Sequence, residues 1–340
     1  MNLQYRIDLL SRLGEYMMSD TEEWQAAKTR AFHENSWFIP EFTDLAVKQI
    51  AETYLQRSVL EKWVSRYPSL LEEQTPLSIG IITAGNIPLV GFHDWLTVFI
   101  SGNSAIIKTS SKDQAMIRHL TGKMDQWIND EKNPSAVYAD MLKGCDAYIA
   151  TGSYNSSRYF KHYFGKYPHI IRRNKTSVAV LDGKESTGEL EKLADDVYLY
   201  FGLGCRNVTK IFVPEDYDFI PMLEAFKKYS YLEEHNKYKN NYDYNLALLI
   251  LNKRYYMTNG SILLVEDPSL FSPISQLHFS YYDDTQRLNN SLNKETDLQC
   301  IVGHQALPFG QAQNPAVDDY ADGVDTLNFI SGIGEVRKKR

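Results

Sequence analysis

Leu77-Ser78-Ile79-Gly80-Ile81-Ile82, then Thr83-Ala84-Gly85-Asn86-Ile87-Pro88, then the apolar run from Leu89 to Ile100, the break Ser101-Gly102-Asn103 and finally Ser104-Ala105-Ile106-Ile107-Lys108 form one continuous passage. It reads as strand, turn, helix, strand. The two short apolar runs have the composition of strands buried on both faces, and a helix between such strands makes them parallel. The same alternation continues outward. Asp113 opens a further helix, Ala147 to Ala150 is a strand, and Thr151-Gly152-Ser153 leads into a helix from Tyr154 to Phe164. His169-Ile170-Ile171 and Val178 to Leu181 are further strands. Such a pattern predicts an α/β fold with a mostly parallel, doubly wound sheet, whose ligands bind beyond the carboxyl ends of the strands. The turns 83–88 and 151–153 stand at such ends.

Before this passage, residues 1–75 read as helical. After it, a helix from Glu189 to Tyr200 runs into Phe201-Gly202-Leu203-Gly204-Cys205-Arg206-Asn207, and Val208 to Pro214 is a strand. The Lys-, Asn- and Tyr-rich tract from Glu233 to Tyr244 reads as a surface excursion. Strands recur at 261–265, 276–281 and 298–302. With 340 residues, a prior of ~150 per domain gives about two domains. The expected division is 1–190 for N-terminal helices and a dinucleotide-binding domain, 191–320 for a cysteine-bearing domain, and 321–340 for a C-terminal strand and a basic tail ending Val336-Arg337-Lys338-Lys339-Arg340.

The net charge of -7 argues against a nucleic-acid surface. Three widely spaced cysteines, none in a Cys-x-x-Cys pair, argue against a disulfide framework and fit a reduced, cytoplasmic setting. No stretch approaches the ~20 apolar residues of a membrane span. The eight histidines lack metal-ligand spacing, so no metal is expected.

Cys205 is the candidate nucleophile. The glycines before it let the backbone turn tightly and a substrate approach, and Arg206 adds positive potential that favours thiolate. A thiolate attacks thioesters and carbonyls. A small buried cysteine is the plainer alternative, and it is the reading for Cys145 and Cys300. The Asn86 amide could donate to a developing oxyanion, or simply shape a turn. Thr151-Gly152-Ser153 at a helix start suits phosphate, although no Gly-x-Gly-x-x-Gly fingerprint is present. Lys108, at a strand end, could hold a ribose or phosphate.

In their order, these pieces resemble the aldehyde-dehydrogenase superfamily. Asn86-Ile87-Pro88 resembles its Asn-Phe-Pro oxyanion turn, and residues 102–110 its Gly-Asn-x-x-x-x-Lys-Pro-Ser segment. Ala150 to Ser153 resembles its Phe-Thr-Gly-Ser turn, Gly202-Leu203-Gly204-Cys205 its Gly-Gln-x-Cys, and Pro308-Phe309-Gly310 its late Pro-Phe-Gly. Residues 204–209 and Asp319-Tyr320-Ala321-Asp322-Gly323-Val324-Asp325-Thr326 look most like the fatty-acyl-CoA reductases of the bacterial bioluminescence type (LuxC). The resemblance implies two doubly wound domains and NADPH-dependent reduction of an acyl-CoA or acyl-carrier thioester through an acyl-cysteine. It implies Cys205 and Asn86 as catalytic residues, and Thr83, Lys108, Ser110, Ser111, Thr151, Gly152 and Ser153 around the cofactor.

Three departures sharpen this. Ile171 stands where oxidising members carry the Glu that activates the deacylating water, which favours acyl-CoA chemistry over aldehyde oxidation. His169, two residues away, could then be the acid or base. Ser111 beside Lys112 replaces a Glu that would repel a 2′-phosphate, which points to NADPH. Ser269 replaces a Glu that holds the nicotinamide ribose. The chain also has little room before Leu77 for the usual dimerising hairpin, so the usual tetramer cannot be assumed, and a homodimer or a partner enzyme stands beside it as an alternative. The alternatives are a reductase of an acyl phosphate or semialdehyde, and a non-catalytic cofactor- or acyl-carrier-binding subunit.

Overall fold

The computed structural model describes residues 1–72, 75–128, 130 and 133–338. The last two residues of the basic tail, and its side chains from Gly334 onward, lie outside the described residues. The chain divides into two compact units: Met1–Asn174 with Ala316–Arg340, and Lys175–Pro315.

The first unit begins with four helices, α1 (Leu3–Met17), α2 (Glu22–Glu34), α3 (Pro40–Thr53) and α4 (Arg57–Val64). Their apolar faces bury Leu10, Leu13, Trp24 and Trp63. The alternating part follows as β1 (Ser78–Ile82), α5 (Phe92–Ile100), β2 (Ser104–Lys108), α6 (Ala115–Ile128), β3 (Val137–Tyr138), β4 (Ala147–Thr151), α7 (Tyr154–Phe164) and β5 (His169–Arg172). These strands form one parallel sheet in the order β3-β2-β1-β4-β5. Ile79, Ile81, Ala147 and Ile149 are wholly buried, which is why these strands read as unbroken apolar runs. The chain changes direction across the sheet between β1 and β4, the place where doubly wound sheets open a ligand crevice.

In the second unit the order is β6 (Thr176–Val180), α8 (Thr187–Tyr198), β7 (Val208–Pro214), α9 (Phe219–Ala225), α10 (Asn236–Leu251), β8 (Met257–Thr258), β9 (Leu263–Glu266), β10 (Gln276–Tyr282), α11 (Thr285–Leu292) and β11 (Leu298–Val302). The sheet runs β11-β6-β7-β10-β9-β8, parallel except for β8 on β9. A capping box starts α8: the Ser186 hydroxyl accepts the Glu189 N–H, and the Glu189 carboxylate accepts the Ser186 N–H.

Four sequence expectations are corrected. The division lies after Asn174, not near 190, because β6 pairs with β7 and β11 and so belongs to the second sheet. The C-terminal strand is a helix, α12 (Thr326–Lys338), whose Leu327 and Ile330 return to the first unit's core at helical spacing. The Tyr320 hydroxyl accepts the Trp63 indole N–H at 2.8 Å, and the Tyr67 hydroxyl donates to Asp325 at 2.8 Å. The late motif thus ties the chain's end to its first helices. The excursion at 233–244 is largely the start of α10, capped by the His235 side chain, with Tyr238, Asn245 and Leu249 buried on one face. Finally, α5 starts at Phe92 rather than Leu89, because Leu89 adopts a left-handed φ of 57°.

At the carboxyl end of β5, Arg172 donates from Nη1 to both Asp94 oxygens at 2.7 Å and from Nη2 to Thr326 Oγ1 at 2.9 Å. Side-chain exposure is 6% and 8% for the arginine and aspartate, so β5, α5 and α12 converge on one dry ion pair.

Candidate active site

Cys205 lies in a loop between α8 and β7. Helix α8 ends at Tyr198, and Tyr200, Phe201 and Gly202 follow with φ of 55°, 57° and 72°. Each of the two non-glycine residues costs about 1–2 kcal/mol in that region. Packing and hydrogen bonds hold them there. The Phe201 ring lies 4.5 Å from His235 and 5.8 Å from Tyr238 by ring centroids.

The principal clamp is Asn207, which is fully buried. Its Nδ2 donates to the carbonyls of Asp196 at 3.1 Å, Val197 at 3.3 Å and Leu199 at 2.8 Å. These belong to the last turn of α8 and its cap, where carbonyls lack helical partners. Its Oδ1 accepts the Gly204 N–H at 2.8 Å, and its own N–H donates back to Gly204 O at 3.1 Å. One side chain therefore caps the helix and sets the residue before Cys205. Asn207→Ala leaves buried carbonyls and an N–H without partners, an expected loss of about 2–3 kcal/mol. Thermal denaturation checks this: a variant melting at the wild-type temperature contradicts it.

Cys205 is exposed, whereas Cys145 is buried and Cys300 partly so. Burial pushes the thiols of both Cys145 and Cys300 up, which keeps them protonated. Reactive cysteines are the accessible ones in positive surroundings. The β6–β11 pairing places Cys300 closer to Cys205 than their sequence separation suggests. The Ser177 hydroxyl donates to Cys205 O at 3.2 Å and lies 3.0 Å from Cys300 Sγ.

The segment 267–273, which carries Ser269, is held from below by β7 and β10. Thr209 Oγ1 donates to Leu270 O at 2.6 Å, and His278 Nδ1 bonds Ser269 O at 3.1 Å. Lys210 Nζ bonds Asp267 O and, at 2.7 Å, Ser280 Oγ. Burial lowers Lys210 to about 8. Lys210 and His278 were missed in the sequence because a single polar residue inside a strand reads as surface.

On the first unit, three turns line up at the carboxyl edge of β1, β2 and β4. The Thr83 N–H donates to Lys108 O at 3.2 Å, and the Ser110 N–H reaches Thr83 Oγ1 at 3.4 Å. Gly85 is pressed so close that an added Cβ would stand 2.5 Å from Ser110 Oγ. Asn86 thus stands in a turn locked against 108–112. The buried Asp113 carboxylate accepts the N–H groups of Leu89 and Val90, and burial raises it to about 7. Lys108, Ser111 and Lys112 are exposed along this edge. After β4, Ser153 caps α7 by accepting the Ser156 N–H at 3.2 Å. A Cβ on Gly152 would meet Phe160 at 2.8 Å, so the chain passes where only glycine fits. Thr83, Asn86, Lys108, Ser110, Ser111, Thr151, Gly152 and Ser153 are therefore gathered at one sheet edge.

His169 is not with them. It is the first residue of β5, paired with Tyr148, and its Nδ1 bonds Tyr167 O at 2.8 Å. At about 3.3 Å per residue it stands roughly 10 Å from the carboxyl edge, so sequence proximity to Ile171 misled.

Among the described residues, Asp182, Glu185 and His304 bring candidate ligand atoms within 4.8 Å of one another. The His304 ring is already engaged on both sides, Nδ1 with Asp182 at 3.0 Å and Nε2 with Glu189 at 3.1 Å. These two bonds to carboxylates raise its pKa. Among the described residues, no helix is long and apolar enough to cross a membrane.

A family model described as acyl-CoA reductase (LuxC) matches residues 44–228. Among solved structures, aldehyde dehydrogenase 21 from Physcomitrella patens superposes with a TM-score of 0.70 at 11% identity, covering 98% of this chain and 85% of that one. The propionaldehyde dehydrogenase from the Clostridium phytofermentans fucose utilisation microcompartment gives 0.61 at 10% identity, covering 93% and 82%. Aldehyde dehydrogenase C from Pseudomonas syringae, in complex with NAD+ and octanal, gives 0.62 at 13% identity, covering 89% and 72%. No curated protein sequence matches. At these identities the superpositions establish a shared α/β fold of the aldehyde-dehydrogenase type.

Proposed function

Because the chain belongs to the acyl-CoA reductase (LuxC) family, we propose that it reduces an acyl-CoA thioester to an aldehyde with NADPH through an acyl-cysteine on Cys205. The observation that carries this reading is the exposed Cys205 on a strained loop clamped by Asn207, with the other two thiols held up by burial.

The Cys205 thiolate adds to the thioester carbonyl. The oxyanion donors in this reading are the Cys205 backbone N–H and the Asn86 amide. The tetrahedral adduct collapses with loss of the CoA thiolate, which leaves the acyl group on Cys205. NADPH, when bound, would supply the hydride that reduces this thioester, releasing the aldehyde and returning Cys205 as thiolate. Ile171 is apolar where a water-activating carboxylate would be needed, so hydrolysis of the acyl-enzyme is disfavoured.

The dinucleotide fits the carboxyl edge of the first sheet. Gly152 lets the turn after β4 pack tightly against Phe160 and Ser156, and the first turn of α7 that follows presents N–H groups to a pyrophosphate. Lys108 and Lys112 are exposed cations on that edge, with Lys112 assigned to the 2′-phosphate. Lys112→Glu is expected to raise the KM for NADPH about tenfold while leaving that for NADH nearly unchanged. An equal change for both would contradict NADPH selection.

Following nicotinamide absorbance with acyl-CoA and acyl phosphate in parallel tests the substrate class. Turnover with acyl-CoA alone supports the reading. Turnover with acyl phosphate alone replaces it with the related reductase on the same fold.

A further inference from the structure

The cysteine loop and the segment after β11 meet on one residue that the proposed chemistry leaves unused. Asp196, near the end of α8, is fully buried. Its Oδ2 accepts the Gly310 N–H at 2.7 Å, and its Oδ1 accepts the Ala312 N–H at 3.0 Å. Its main-chain carbonyl accepts from Asn207 Nδ2, and Asn207 in turn holds Gly204. One residue therefore carries loop 308–312 on its side chain and loop 204–207 on its backbone. Gly310 has a φ of 80°, and a Cβ there would stand 3.0 Å from the Lys192 Cβ, so the outer loop seats on α8 closely.

An ionised carboxylate accepts at both oxygens, which matches two converging N–H groups. An amide or a protonated carboxyl turns a donor toward one of them. We propose that Asp196 is a positioning residue for Cys205: its carboxylate locks loop 308–312 onto α8 and so fixes the helix end that suspends the cysteine loop. This rests on the reading of Cys205 as nucleophile.

Burial pushes Asp196 up to about 7, and the charge of Asp195 adds to the rise. The unfolded carboxyl ionises near ~4. The stability it contributes is therefore full below that value and is lost as the pH rises through about 7. The charged form that grips both N–H groups best is thus the one that costs global stability, the pattern of a residue kept for function. Among the described residues, the titratable or charged groups that act on Asp196 or on the segments it holds are Asp195 and Lys192 on α8, Cys205 and Arg206 in the cysteine loop, Cys300 on β11, and His304 at the start of the 303–312 segment with its partners Asp182 and Glu189.

The test measures backbone amide exchange on the full chain, wild type and Asp196→Asn, together with the rate at which acyl-CoA acylates Cys205. At pH ~8, where Asp196 is ionised, the variant should exchange about tenfold faster in peptides covering 203–207 and 308–312, and acylate about tenfold more slowly, as expected for one charge-assisted hydrogen bond. Its melting temperature should hold or rise. Wild type at pH ~6, after correction for intrinsic exchange, should lose protection at Gly310 and Ala312 while Gly303, bonded to Leu307 O, keeps it. This arm needs no variant to fold. Wild-type protection and acylation in the variant overturn the proposal, as does faster exchange throughout the unit with a lower melting temperature. A wild-type chain that never acylates Cys205 overturns the nucleophile reading itself.

Discussion

Replacing Cys205 with serine is expected to lower acyl-CoA-dependent oxidation of NADPH by at least about a thousandfold, some 4 kcal/mol of barrier. A hydroxyl in the same place is almost wholly protonated at neutral pH, and no neighbouring base has been assigned to it. The fold should not change. Cys205 is exposed, so the swap opens no cavity, and a surface change of this kind stays within about 0.5 kcal/mol. Asn207 and Ser177 grip the backbone of the loop rather than the thiol. Nucleotide affinity should also be retained, because the residues assigned to the dinucleotide lie on the first unit. Steady-state rates with a melting curve and a nucleotide titration check all three points. A serine variant that turns over at the wild-type rate removes the acyl-cysteine from the mechanism.

The largest effect on stability is expected at Arg172. Changing it to leucine leaves the Asp94 carboxylate in a dry site without its bidentate partner, and leaves Thr326 Oγ1 without its donor. Breaking a buried pair in this way costs about 3–5 kcal/mol. At about 2–4 °C per kcal/mol, the melting temperature should fall by roughly 10 °C. The double variant Asp94→Leu/Arg172→Leu should recover much of that loss, because two apolar side chains replace two desolvated charges. A double variant no more stable than the single one would mean that the arginine acts through Thr326 and α12 instead.

The strand–turn–helix–strand passage was legible because parallel strands covered on both faces are apolar throughout, and its turn residues fall at the sheet edge where ligands bind. What was lost depends on partners far along the chain. Asn207 looked like an ordinary turn residue, and only the folded chain shows it gathering the carbonyls at the end of α8. Cys300 looked like core, and the β6–β11 register brings it to Ser177 beside Cys205. The division of the chain was misplaced because β6 is short and lies close after β5, although it pairs in the other sheet. The return of the C-terminus was invisible for the same reason, since Tyr320 finds Trp63 across more than half the chain. His169 shows the opposite error, a residue two positions from Ile171 in sequence but at the amino end of β5 rather than its carboxyl end.

The central claim is a covalent one, and the intact mass of the protein tests it directly. Incubated with acyl-CoA in the absence of nucleotide, the chain should gain the mass of one acyl group, with the adduct mapped by peptide fragmentation to Cys205 and released as aldehyde when NADPH is added. An unmodified Cys205, or an adduct on Cys145 or Cys300 instead, would contradict the account.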